Sequence, residues 1–412
     1  RRPLPMGGLL RPGEVFERFG ITLRVLGLPG HGKRALGFYW EREGVLFSGD
    51  LLRAGGWLVN FYDLERAYGL NLGYQDLHRS LAVVKELAPR LLAPATGPIC
   101  PEPLADIAQL TNRFEAMRRV PRRRVGEAGA ICNLPSPRTF GRYREAEPGV
   151  FQNTNFGNII LLVDNHGRGL MVDPDFCVWE SWEENCRQFL ADLDLLSAET
   201  GLRTIDTCLI THYHGDHVQY ADLLRQRYGT TIVSTADVRA VMERPWEYRY
   251  PCVVDWYGFP FDHVKVDQTI PYDQPFDWHG TAITPIWSPG HCGAHASFAL
   301  DWRGQRLLLA GDVFQYGSGT IGAGLPIMYN DNAWPERGNA ATFRRLLAQR
   351  PTLILGGHSH ACADPDHSVL RDFADVAEAM EALASDLVPP GTMQAAMTPP
   401  GFDAIRPSRS AP

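Results

Sequence analysis

At 412 residues the chain exceeds the usual size of one compact domain, so two domains are expected. Its 44% hydrophobic and 21% charged residues are those of an ordinary globular protein, and a net charge of −7 disfavours nucleic acid as the main partner. No apolar run reaches bilayer-spanning length and no signal-peptide pattern opens the chain. Eight Cys without paired short spacings suit reduced thiols, so a cytoplasmic location without a membrane partner is expected, although a start at Arg1-Arg2-Pro3 leaves room for a lost signal.

In chain order, 21–26, 36–40 and 45–47 read as strands separated by turns at 28–32 and at Glu43-Gly44. A helix is expected over 77–87, a short strand at 91–93 and a second helix over 104–120. Between 119 and 149, clustered arginines and Pro and Gly breakers suggest a solvated linker; no aromatic residues interleave the arginines as a nucleic-acid surface would require. A second domain is expected over 150–385, beginning with a hairpin of 158–164 and 169–173 and a helix over 183–198. Strands follow at 205–210, 231–234, 282–287, 297–300, 306–310 and 352–355, with helices over 218–228, 339–349 and the last one to about 384. The Pro- and Met-bearing tail 386–412 reads as disordered.

The strand 205–210 runs into Thr211-His212-Tyr213-His214-Gly215-Asp216-His217, which places four potential metal ligands within six residues. Crowded imidazoles and carboxylates repel and desolvate one another unless a cation holds them. A helix starting at Val218 would put Asp216 and His217 near its positively polarised end. Three further turns at strand ends carry polar residues: Pro289-Gly290-His291, Gly311-Asp312 and Gly356-Gly357-His358. Five of the 13 His fall in this set, far too many for a chance surface loop.

The first region repeats the last one in register. Asp50 to Thr96 and Asp312 to His358 are both separated by 46 positions (96 − 50 and 358 − 312). On the offset of 312 − 50 = 262, Pro89 falls on Pro351, Leu91 on Leu353, Cys100 on Cys362 and Pro103 on Pro365. The turn at His31 matches that at His291 within two residues. The first copy has no counterpart of the His cluster and carries Thr96 where the second has His358, so residues 1–118 read as the back half of a degenerate copy. A hydroxyl is a poor replacement for imidazole on a divalent transition metal, so weak or no metal binding is expected there. A lone half would also leave a sheet face wanting burial, to be covered by the second domain or by another copy in a homo-oligomer.

Taken together, Thr-His-x-His-x-Asp-His at 211–217, Pro-Gly-His at 289–291, Gly-Asp at 311–312 and Gly-Gly-His at 356–358 resemble the metallo-β-lactamase superfamily, completely over about 150–380 and partially over about 13–118. The resemblance implies an α/β fold, an αββα sandwich of two mixed sheets flanked by helices, here with an extra half-domain of the same type. It implies two zinc ions per chain, with iron or manganese as the other candidates. His212, His214 and His291 would hold one, Asp216, His217 and His358 the second, and Asp312 would bridge them. Asp216 is in addition the candidate catalytic proton acceptor. True metallo-β-lactamases typically carry Cys or Ser where this chain has Asp312, so a metal-dependent hydrolase of a small ester, lactone or thioester is expected ahead of a β-lactamase. A mononuclear-iron persulfide dioxygenase uses fewer ligands than are retained here. Candidate substrate-facing residues are the aromatic stretch Trp246, Tyr248, Tyr250, Trp256, Tyr257, Phe259 and Phe261, or else these fill core, together with Tyr316, Met328, Tyr329 and Trp334. His295 and His360 either back a ligand or face substrate, and Cys292 reads as a packed thiol.

Overall fold

The computed structural model describes residues 7–58, 70–120, 134, 138–153, 159–175, 181–248, 250, 252–254, 257–314, 338–384 and 386–387. The chain divides into two compact units, 1–121 with 379–395, and 122–378 with 396–412. Of the tail expected to be disordered, Asp386 and Leu387 are described, and Leu387 is buried and accepts from Leu58 N at 2.7 Å; 388–412 and the loop bearing Tyr316, Met328, Tyr329 and Trp334 lie outside the described residues.

In the first unit, β1 (Val15–Arg18), β2 (Ile21–Gly27), β3 (Leu36–Trp40), β4 (Val45–Gly49) and β5 (Leu91–Pro94) form one sheet in that order. The first four strands run antiparallel to their neighbours and β5 is parallel to β4. The helix α1 (Leu70–Leu87) precedes β5, and α2 (Pro103–Arg118) follows it. Helix α1 buries Leu77, Leu81 and Val84, one stripe at helical spacing. It starts seven residues ahead of the expected Leu77, because Asn71 and Gly73 are weak helix formers and local propensity does not announce that turn.

The second unit carries two sheets. The first contains β6 (Thr139–Phe140), β7 (Tyr143–Glu147), β8 (Val150–Asn153), β9 (Ile160–Val163), β10 (Arg168–Val172), β11 (Thr204–Leu209), β12 (Thr231–Ser234) and β13 (Gln268–Thr269), in sheet order 13-12-11-10-9-8-7-6. The second contains β14 (Phe276–Trp278), β15 (Thr281–Trp287), β16 (Ala296–Trp302), β17 (Gln305–Gly311), β18 (Leu353–Gly356) and β19 (Cys362–Ala363) in sequence order. Leu162, Leu170, Val172, Leu209 and Val233 of one sheet meet Ile283, Phe298, Leu300, Leu307, Leu309 and Leu355 of the other in a single buried core. Such fully buried aliphatic and aromatic side chains each contribute about 1.5–3 kcal/mol relative to exposure. The outer face of the first sheet is covered by α3 (Trp182–Thr200), α4 (Ala221–Tyr228) and α5 (Ala236–Glu243), through Phe189, Leu193, Leu196, Leu224, Val238 and Val241. On the second sheet, α6 (Asn339–Ala348) lies against β15, and Phe343 of α6 meets Phe373 of α7 (Ser368–Ala384) with ring centroids 5.4 Å apart. The result is the expected αββα sandwich.

Two expectations change. The stretch 119–149 is not wholly linker, since it contains β6 and β7 and places the start of the second unit before residue 150. Tyr143 and Glu145 are buried and alternate with more exposed neighbours, a period-2 strand that the dense charges hide. The buried Glu145 is matched by Arg138 and accepts from Gly149 N at 3.0 Å. Second, Asp216 and His217 sit in a separate 3₁₀ turn over Gly215–His217, and α4 begins only at Ala221. They are therefore not in the first turn of an α-helix.

The β9–β10 hairpin is closed by Asp164, which accepts from His166 N (2.8 Å), Arg168 N (2.9 Å) and Arg168 Nε (2.6 Å). Partial burial opposes its charge, but these donors outweigh it and hold the carboxyl below its usual range. The stabilisation is thus present above the ordinary aspartate pKa and is lost as pH falls through the depressed value. Asp164→Ala is expected to cost about 1–2 kcal/mol in urea unfolding at neutral pH, with the difference from wild type shrinking in acid.

Candidate metal centre

Four strands, two of them neighbours in the second sheet, lead into a single cluster. Strand β11 leads into His212, His214, Asp216 and His217; β15 leads to His291, β17 to Asp312 and β18 to His358. His214 Nδ1 lies 3.0 Å from His291 Nε2, and His358 Nε2 lies 3.1 Å from Asp216 Oδ2. Asp312 sits between the two sets: Oδ1 is 3.4 Å from His217 Nε2, and Oδ2 is 3.5 Å from His291 Nε2 and 3.6 Å from His358 Nε2. The His212 ring is 4.4 Å from that of His214 and 4.0 Å from that of His217, centroid to centroid. All seven residues singled out in the sequence converge.

Electrostatics divide the cluster. Burial, with the neighbouring imidazoles, holds His212 well below its usual value. Burial and His291 do the same for His214. His291 is lowered to about 4, mainly by burial, against the pull of Asp312. His217 is also fully buried, yet Asp312 and Asp173 overcome the desolvation and raise it well above its usual value. Burial likewise disfavours charge on Asp216 and Asp312, but the surrounding histidines hold both carboxyls below their usual range. These carboxylates are built to face positive charge.

The donor set fits metal. His212 Nδ1 is 2.9 Å from Thr211 Oγ1, and that hydroxyl donates to Asp173 Oδ2 at 2.6 Å, so the hydroxyl accepts from His212 Nδ1–H. His217 Nδ1 donates in turn to Asp173 Oδ2 at 2.9 Å. Each ring therefore turns its Nε2 away from Asp173 and Thr211; in His212, held in the neutral form, that buried atom is unprotonated and lacks a hydrogen-bond partner among the described residues, and in His217 it faces Asp312 Oδ1. Leaving a buried imidazole nitrogen unsatisfied costs about 1–3 kcal/mol, which a cation would offset. Three residue sets built from these ligands keep their donor atoms within 4.8 Å of one another: His212 with His291 and Asp312, Asp216 with His217 and His358, and Asp173 with His212 and His217. A fourth joins Cys292 to His212 and His214. The Cys292 thiol is buried and 3.4 Å from Ala294 O.

Asp173 is the residue the sequence did not single out. It lies 38 positions before Thr211, accepts from Thr211 N at 2.8 Å as well, and is 1% exposed. Its φ of 47° and that of 45° at His358 put two non-glycine residues of this corner in the left-handed region, a strain held by the surrounding packing. Gln152 on β8 is a second such residue: its amide donates to Gly356 O and Ser359 O, both at 3.0 Å, and so clasps the loop that carries His358. Gly311 must be glycine, since its φ is 55° and a Cβ there would come within 2.6 Å of His295 Nε2 and 2.9 Å of Thr211 Oγ1. His295 is fully buried, bonds Ser288 Oγ through Nδ1 at 2.7 Å and stacks on His212 at 4.9 Å, so it backs a ligand and does not face substrate. Burial and Arg144 hold His360 below its usual value. Among the aromatics, Tyr250 is buried, Tyr248, Phe259 and Phe261 pack on the helix-side core, and Trp246 is exposed; Trp256 lies outside the described residues.

Residues 153–358, half of the chain (206 of 412), match the family model for the metallo-beta-lactamase superfamily. The chain belongs to the metallo-beta-lactamase superfamily. Curated relatives include a hydroxyacylglutathione hydrolase of Acidiphilium cryptum, 26% identical over 242 residues (56% of this chain, 80% of that protein). Another hydroxyacylglutathione hydrolase, of Rhizobium meliloti, is 27% identical over 176 residues and is spanned over 56% of its own length, with 40% of this chain. A beta-lactamase hydrolase-like protein of Agrobacterium fabrum is 28% identical over 158 residues, 38% of this chain and 33% of that one. Among solved structures, a beta-lactamase from Chitinophaga pinensis is 17% identical with a TM-score of 0.44, covering 63% of this chain and 99% of that one. As a superfamily member with hydrolase-named relatives, this chain is an enzyme of the metallo-β-lactamase-fold hydrolase type with a metal cofactor. Among the described residues no helix is long and apolar enough to cross a membrane, and Cys100, Cys186 and Cys208 are free thiols.

Asp173→Asn is expected to weaken metal binding about 10- to 100-fold with the fold intact, as loss of an outer hydrogen-bond partner does elsewhere. Competition with a chromophoric chelator reads this directly; unchanged affinity would remove Asp173 from the centre.

Proposed function

We propose that the chain is a dinuclear zinc hydrolase of small esters, lactones or thioesters, with His212, His214 and His291 holding one ion, Asp216, His217 and His358 the other, and Asp312 between them. The observation that carries this reading is the position of Asp312, whose two oxygens face His217 on one side and His291 and His358 on the other. Two bound divalent cations would acidify a water near neutral pH and polarise the substrate's carbonyl oxygen. The chain's own part is to hold and orient. Asp173 and Thr211 fix the rings of His212 and His217, and the carboxylate of Asp312 offsets the repulsion between cations. Asp216 is positioned to accept the proton of the attacking water. An Asp at 312, where β-lactamases carry Cys or Ser, favours the hydrolase reading over a β-lactamase. The two relatives named hydroxyacylglutathione hydrolase favour thioesters within it. Asp216→Asn is expected to keep part of the metal and lose about 100-fold or more in turnover. A panel of thioesters, esters, lactones, phosphodiesters and β-lactams with zinc- and manganese-loaded protein should show one of the first three turned over fastest. Fastest turnover of nitrocefin would reverse that order, and full activity of the Asp216 variant would remove its role as acceptor.

We also infer that the first unit is a second copy of the C-terminal half of this domain without a working centre. Strand pairing supports this: Arg24↔Tyr39 through Gly27↔Leu36 repeat as Thr284↔Ala299 through Trp287↔Ala296. Val45↔Leu91 through Gly49↔Pro94 repeat as Leu307↔Leu353 through Gly311↔Gly356, with a register shift at the same place. At the corresponding corner, Thr96 Oγ1 donates to Asp50 Oδ1 (2.7 Å) and accepts from Arg53 Nη2 (3.1 Å), while His31 Nε2 is 4.0 Å from Asp50 Oδ2. An arginine and a hydroxyl thus occupy the surroundings of Asp50, a set poorly suited to a transition metal. Asp50→Asn is expected to leave the metal content per chain unchanged by elemental analysis; a loss of metal would assign a site to this unit.

A further inference from the structure

One member of the aromatic run 246–261 reaches the centre. The Tyr257 hydroxyl donates to Asp216 Oδ1 at 2.7 Å, while the other oxygen, Oδ2, faces His358 Nε2. Three backbone contacts fix this approach. Gly215 N donates to Cys252 O (3.0 Å), His214 forms a bridge with Val253, and Tyr257 N donates to Val254 O (3.3 Å). The ring lies against Gly215, where a Cβ would come within 2.4 Å of it, so residue 215 has to be glycine for the tyrosine to reach Asp216. From outside, Tyr257 stacks on Phe259 (5.4 Å, 18°), Phe259 on Phe261 (5.2 Å, 25°), and both phenylalanines meet Trp182. A column of rings therefore presses one phenol against one carboxylate.

We propose that Tyr257 is a positioning residue for Asp216: its hydroxyl holds one carboxylate oxygen so that the other is directed, with His217 and His358, at the second cation. This rests on the ligand assignment above. A ligating carboxylate has few rotational constraints of its own, and a hydrogen bond to the oxygen that does not face the cation fixes its torsion before the ion arrives. The first cation, among His212, His214 and His291, does not depend on this contact. Loss of the hydroxyl should thus discriminate between the two ions, which a general loosening of the fold would not.

The experiment is a cobalt(II) titration of metal-free wild type, Tyr257→Phe and Gly215→Ala, followed by visible absorption, with thermal unfolding of each metal-free protein alongside. Tyr257→Phe keeps the ring column and removes only the donor. The expected result is two-step binding in wild type, with the second dissociation constant raised about 10-fold or more in Tyr257→Phe, the first unchanged and the metal-free melting temperature the same. Gly215→Ala, which pushes the ring away, should show the same selective weakening. Two steps of wild-type affinity in Tyr257→Phe would overturn the role, as would equal weakening of both steps together with a lowered melting temperature. A wild-type chain that binds no second cobalt would instead overturn the ligand assignment, and this role with it.

Discussion

Asp312 is the carboxylate on which the corner depends. It is 7% exposed, and burying a charge without a partner is prohibitively costly, so the structure has to surround it with positive charge or donors. It does so with His217, His291 and His358, brought from three separate strand ends. The same demand explains why His217 is held well above its ordinary value while His212 and His214, which face mainly other imidazoles, are pushed well below theirs. Burial still wins at His291, lowered to about 4 although it faces Asp312, whereas at His217 and His358 burial is overcome by Asp312 together with Asp173 or Asp216.

Around that charge the fold supplies rigidity in layers. The inter-sheet core sets the strand ends in space, and Asp173, Thr211 and Gln152 then fix ring orientation and the His358 loop. Two of the corner's residues, Asp173 and His358, occupy left-handed backbone, and Gly311 turns the chain between His295 and Thr211. Strain of this kind persists only where neighbours over-determine it. The aromatic column that ends in Tyr257 extends the same principle to Asp216, from the helix-covered side of the first sheet.

The sequence made the ligands and most strands legible for physical reasons. Four ligands share one loop, and the other three each end a short apolar strand, so local pattern was enough. The spacing of 46 positions that Asp50–Thr96 shares with Asp312–His358 tied Asp312 to His358, and the inference that the first unit is a second copy rests on that spacing together with the strand registers. Asp173 was not legible, because its role comes from a 38-residue separation and from a backbone angle that no residue pattern announces. Tyr257 was visible only as one of seven aromatics; what distinguishes it is a single hydrogen bond across 41 positions. Strands β6 and β7 escaped because charged side chains masked a two-residue period in a segment that composition marked as linker.

The most direct measurement of the central claim is the metal content of protein purified without added metal, by elemental analysis with protein concentration from amino-acid analysis. The account predicts two zinc ions per chain, both removed by chelator and both required for hydrolysis. A single iron per chain, with no second ion taken up on titration, would contradict it.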